Sequence, residues 1–173
     1  MWYTSLNEKK FADKGETLME WLKELLTNPF LMAGILSWFM AQVVKTIIHA
    51  FINKKIVWER LVGDGGMPSG HSATVTALAT TSLLIYGPGS YQFAATALFA
   101  IVVCHDAMGV RLETGKQAVL LNEIVRSFEE MFKSEELPEV KLKEFVGHTP
   151  IQVIAGILIG AINAVILYFV WLG

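Results

Sequence analysis

The chain has 173 residues, of which 53% are hydrophobic and only 17% charged. Soluble domains carry about 25% charged residues, so an ordinary soluble domain is excluded, and the length suits one domain. A formal net charge of −2 argues against a nucleic-acid partner, and a single cysteine, Cys104, excludes an internal disulfide or a cysteine-rich metal site.

In chain order, the N-terminus is charged and has no early apolar run, so no cleavable signal peptide is expected. Residues 16–27 set Leu18, Met19, Trp21, Leu22, Leu25 and Leu26 against Glu16, Glu20, Lys23 and Glu24. That pattern predicts an interfacial helix ended by Asn28-Pro29. Residues 29–52 are apolar apart from Gln42, Lys45 and His49. The apolar run 71–86 spans about 24 Å as a helix, so its start is expected below the headgroup level. The turn Gly87-Pro88-Gly89-Ser90 joins it to a third apolar run, 90–108, as a helical hairpin. Residues 116–132 place Leu121, Ile124, Val125, Phe128 and Phe132 at helical spacing, predicting a helix that lies on the membrane or covers a site. Residues 134–140 read as an acidic loop, and 151–172 as another apolar run.

A spanning helix needs about 20 apolar residues. The expected fold is therefore all-α: an integral-membrane bundle of about four transmembrane helices plus amphipathic interfacial helices. Residues 1–28 form an amphipathic N-terminal segment, 29–173 the membrane domain, and 111–147 a connection outside the bilayer. Four crossings put both termini on one side with Lys9, Lys10, Lys14 and Lys23. The other side carries Lys54, Lys55, Arg60, Arg111, Lys116, Arg126, Lys133, Lys141 and Lys143. The positive-inside rule makes that richer side cytoplasmic.

Residues 65–72 read Gly-Gly-Met-Pro-Ser-Gly-His-Ser, immediately before the apolar stretch 73–86. A helix start offers free N–H groups and the positive end of the dipole, which suits phosphate. A histidine there can move protons near neutral pH. The four-crossing topology brings further groups to the same membrane face: Lys45 and His49; Ser69, Gly70, His71 and Ser72; His105, Asp106 and Arg111; and His148, Thr149 and Pro150. Thr149 fits an N-cap and Pro150 the first helical position. Ionisable groups within membrane segments are costly and mark function. No spacing such as His-Glu-x-x-His suggests a metal, and no cofactor is expected. Gly156 and Gly160 read as a small-residue packing motif.

Pro68-Ser69-Gly70-His71 resembles the second motif of the type-2 phosphatidic acid phosphatase superfamily. His148, Val153, Gly156 and Gly160 follow the third motif, with Gln152 where it has an aspartate. The chain is similar, more closely, to a divergent branch of small membrane proteins. Its marks are Gly-Gly-Met-Pro-Ser-x-His-Ser (65–72), Asp-Ala-x-Gly-Val-Arg (106–111), Gln-Ala-x-x-Leu-Asn (117–122) and Gly-His-Thr-Pro (147–150). The resemblance covers about residues 29–160.

The resemblance implies that His148 attacks phosphorus and forms a phosphohistidine, while His71 protonates the leaving oxygen. Lys45, Arg111, Ser69 and the Gly70 N–H would hold the phosphoryl oxygens. Gln152 would accept the Nδ1–H bond of His148, with Asp106 or Glu144 supplying charge. Three departures stand out. The Arg-Pro that follows the first-motif lysine is replaced by Ile52-Asn53, leaving Arg111 or Arg60 in that role. Lys141 and Leu142 replace Ser-Arg before the third motif, and Gln152 replaces its aspartate.

The implied activity is metal-independent hydrolysis of a lipid phosphate such as phosphatidylglycerol phosphate, in a bacterial inner membrane with the site facing the cytoplasm. The alternative is a non-catalytic phospholipid-headgroup-binding, transport or assembly protein on the same fold. The expected partners are the lipid phosphate and the bilayer, with a homo-oligomer left open.

Overall fold

The computed structural model describes residues 18–54, 65–132, 142 and 147–172. The described residues fold into α1 (Leu18–Leu26), α2 (Pro29–Asn53), α3 (Gly70–Tyr86), α4 (Tyr91–Met108), α5 (Val110–Phe132) and α6 (Pro150–Leu167). A π-helical turn, Tyr168–Leu172, follows α6. The expected all-α membrane bundle is observed. Arg60, Lys141, Lys143, Glu144 and the acidic loop 134–140 lie outside the described residues, as do Lys9, Lys10, Lys14, Lys55 and Lys133.

Local chemistry sets the helix ends. The Asn28 side chain accepts from the N–H groups of Phe30 and Leu31 at 3.0 and 3.2 Å, with Pro29 next in the first turn of α2. Ser69 caps α3 by accepting from Ser72 N–H at 3.3 Å, and Ser90 caps α4 by accepting from Phe93 N–H at 3.2 Å. Such side chains satisfy donors that the helix itself cannot. Gly87, at φ 80°, ends α3 with its N–H on the Leu83 carbonyl.

Pro29–Asn53, Tyr91–Phe128 and Pro150–Trp171 are each long and apolar enough to cross a membrane. α3, with 17 residues, rises only about 26 Å and is the short helix that the sequence predicts. It is also the central one, packing against α2, α4 and α6. One boundary differs from expectation. The predicted amphipathic helix at 116–132 begins instead at Val110, a single residue after α4. Gly109 (φ −98°, ψ −97°) breaks the helical path there while its N–H caps the His105 carbonyl at 2.8 Å.

Small residues let α3 sit close to its neighbours. A Cβ on Gly156 would run into the Ser69 carbonyl oxygen, and one on Gly160 into the Ala73 carbonyl oxygen. Ala33, Ala77 and Ala164 form one apolar cluster between α2, α3 and α6. Val75, Cys104, Ala107 and Val153 form another between α3, α4 and α6. Across the bundle, Asn163 donates to Ser37 Oγ at 2.7 Å. In lipid, helices associate through such close packing and interhelical hydrogen bonds rather than through the hydrophobic effect.

The glycine contacts set a prediction. Gly156→Val and Gly160→Val should each destabilise the protein by about 1–3 kcal/mol through overpacking. Gly89→Ala, where an added Cβ meets nothing within 4 Å, should change stability by less than about 0.5 kcal/mol. Thermal unfolding in detergent measures both.

Candidate active site

Two histidines meet where α3 and α6 begin. The rings of His71 and His148 have centroids 5.9 Å apart and are tilted by 59°. His71 is the second residue of α3, and His148 lies two residues before α6. Main-chain hydrogen bonds hold these helix starts together. The Ser69 N–H donates to the Gln152 carbonyl at 3.0 Å, and the His148 N–H donates to the Ala107 carbonyl of α4 at 2.9 Å. Gly147, at φ 87°, sits so close to Arg111 and Leu112 that any Cβ would overlap their backbone. A left-handed conformation and a backbone contact both require glycine there.

Lys45 is 5% exposed. Its methylene stem lies 3.5 Å from where a Cβ on Gly66 would stand, so α2 delivers a buried ammonium beside the glycine loop. His148 is 2% exposed. Burial first, and the Lys45 charge second, hold its imidazole below the ordinary value of 6.5. His71 adds to the lowering, while Gln152 and the Gly66 backbone oppose it.

Ser69 and Ser72 are fully buried, and the Ser72 hydroxyl donates to Ser69 Oγ at 3.1 Å. Ser69 Oγ thus accepts twice, from Ser72 N–H and Ser72 O–H, which leaves its own hydrogen to donate elsewhere. The structure therefore brings together Lys45, Ser69, Gly70, His71, His148 and Gln152.

Gln152 also serves the helix cap. Its Oε1 accepts the Thr149 N–H at 3.0 Å, while Nδ1 of His148 is buried and, among the described residues, has no hydrogen-bond partner. Thr149 is the N-cap of α6, and a glutamine three residues on is the natural acceptor for the N-cap N–H. Gln152 lies near the imidazole but makes no well-formed bond to Nδ1. Asp106 is also otherwise engaged. It accepts from Arg111 Nε at 2.6 Å, with the two side chains 42% and 48% exposed. The arginine expected at the phosphate is thus in an ion pair at the bundle edge, and Asp106 supports Arg111 rather than a histidine. His105 is exposed at the end of α4. Among the described residues, no three His, Cys, Asp or Glu side chains converge as they would around a metal ion.

Sequence reasoning missed two residues. Asn122, at the end of the motif 117–122, brackets the Leu142 backbone: Nδ2 donates to its carbonyl and Oδ1 accepts its N–H, both at 3.0 Å. Gln42, noted only as an interruption of an apolar run, lies one turn before Lys45 and is 5% exposed. Its helical phase with Lys45 was the available signal.

Residues 26–163 match the Divergent PAP2 family. The chain belongs to that family. It is also 38% identical over 154 residues to the uncharacterized membrane protein YuiD of Bacillus subtilis (strain 168), a match covering 84% of this chain and 98% of that protein. No solved structure matches. The family match takes in Lys45, His71 and His148 but ends before the close of α6.

The electrostatics of His148 can be tested directly. NMR titration of its imidazole should give a midpoint below 6.5. Lys45→Met, which removes one of the lowering charges, should move that midpoint upward.

Proposed function

We propose that this Divergent PAP2 protein is a membrane-embedded phosphatase acting on a lipid phosphomonoester through a phosphohistidine at His148. The observation that carries the reading is the pair of facing histidines at two adjoining helix N-termini, beside the buried Lys45. A depressed imidazole is neutral near pH 7 and has a lone pair for attack. In the first step a His148 ring nitrogen bonds to phosphorus while the bond from phosphorus to the leaving oxygen breaks. His71 gives its proton to that oxygen. In the second step His71 takes a proton from water, the water oxygen bonds to phosphorus, and the phosphorus–nitrogen bond breaks. Lys45, the Gly70 N–H and the Ser69 hydroxyl stabilise charge on the phosphoryl oxygens, with no step assigned to a metal. Arg111 joins them if phosphate competes successfully with Asp106.

The shortness of α3 supports a site at or below headgroup depth. A cytoplasmic-facing site in a bacterial inner membrane suits a biosynthetic lipid such as phosphatidylglycerol phosphate. In this reading residues 29–173 are the phosphatase-like membrane domain, preceded by the N-terminal segment 1–28. A second reading has its own support. Gln152 caps α6, and among the described residues His148 Nδ1 has no carboxylate to accept its proton. That favours a protein that binds a phosphorylated headgroup without turning it over.

Phosphate release from a panel of lipid phosphomonoesters in detergent decides between the two. The expected result is metal-independent turnover that vanadate inhibits. His71→Ala should reduce the rate about 10²–10⁴-fold, as for loss of a general acid, and His148→Ala should abolish phosphoenzyme formation. Undiminished activity in His148→Ala would remove the proposed nucleophile. Binding without release across the whole panel supports the second reading.

A further inference from the structure

Gln42 has a polar atom that the proposed mechanism does not use. Its Oε1 is buried and, among the described residues, has no hydrogen-bond partner. Its Nε2 lies 3.9 Å from where a Cβ would stand on Gly70, the residue that opens α3, and Trp38 closes the same spot at 3.3 Å. Gln42 therefore borders the helix start at Gly70, on the same helical face as Lys45.

Leaving a buried carbonyl unpaired costs about 1–3 kcal/mol, and each such group in a folded protein calls for an explanation. Ligand chemistry supplies one. The groups gathered at this helix start donate: the Lys45 ammonium, the Gly70 N–H and the Ser69 hydroxyl. One acceptor among donors fits an oxyanion that carries a hydrogen of its own. A phosphomonoester or inorganic phosphate has such a hydrogen on part of its population, since its second pKa is about 6. A phosphodiester or a sulfate ion has none.

We propose that Gln42 is a specificity-determining residue, its Oε1 accepting the hydrogen of a protonated phosphoryl oxygen, so that the site selects phosphomonoesters and inorganic phosphate over diesters and sulfate. The proposal rests on the reading of this site as a phosphate site, and it holds whether or not turnover follows.

Calorimetric titration of the full chain in detergent with inorganic phosphate and with sulfate tests it. The pH is held near 6, where about half of a phosphate group carries its second proton. Phosphate is expected to bind at least about tenfold more tightly than sulfate. Gln42→Leu should bring the ratio to about one by weakening phosphate alone. Gln42→Met, closer in shape, does the same if the leucine variant fails to fold. Gln42→Glu, which keeps an acceptor and adds charge, should weaken both anions and preserve the preference for phosphate. Equal affinities in the parent protein, or an unchanged ratio in a folded Gln42→Leu or Gln42→Met, would overturn the proposal. Selective phosphate binding by a protein that hydrolyses no lipid would end the catalytic reading and leave the role of Gln42 standing. Failure to bind either anion overturns both.

Discussion

The backbones of α3 and α6 touch because Gly156 and Gly160 present no side chain to the carbonyls of Ser69 and Ala73. The meeting of the two helix starts follows from that contact. It brings the first turn of α6 beside the cap of α3 and lets the Ser69 N–H reach the Gln152 carbonyl. The two histidines then come to face each other at 5.9 Å. A methyl group at either glycine would push the helices apart by more than a hydrogen bond tolerates.

The same closeness governs the electrostatics. Two helix N-termini converge on a buried lysine, so positive potential accumulates where little solvent screens it. Burial first, and the Lys45 charge second, disfavour a further cation there and hold the His148 imidazole below its ordinary value. Of the two facing histidines, His148 is the one whose protonation the surroundings resist. Arg111, half exposed and paired with Asp106, adds little to this potential. The site thus divides its cations between a buried lysine and a half-exposed arginine.

Much of the fold was legible because helix caps are local. Asn28-Pro29, Ser69, Ser90 and Thr149-Pro150 each mark a helix start within a few residues, and the apolar runs between them do the rest. The start of α5 was not legible. Gly109 reads as a terminator, and it does cap α4, but Val110 resumes the helix at once. The facing histidines were readable from their motifs and a four-crossing topology. The bonds that Gln152 and Asp106 make were not. Each side chain had two candidate partners, and spacing alone does not decide between them. Gln152 could serve the ring beside it or the N-cap behind it, and the cap N–H, fixed by the helix, is the better-aligned donor.

The His148 N–H rests on the Ala107 carbonyl, and Gly147 rests on the backbone of Arg111 and Leu112. Peptide groups, common to all residue types, therefore fix the position of this histidine. Side chains at Ala107 or Leu112 can be exchanged with little effect on where the imidazole sits, provided they pack. Adding or removing one residue between Ala107 and Leu112 rotates the following helix by about 100° and withdraws the surface on which Gly147 lies. The site tolerates drift in spelling but not in counting.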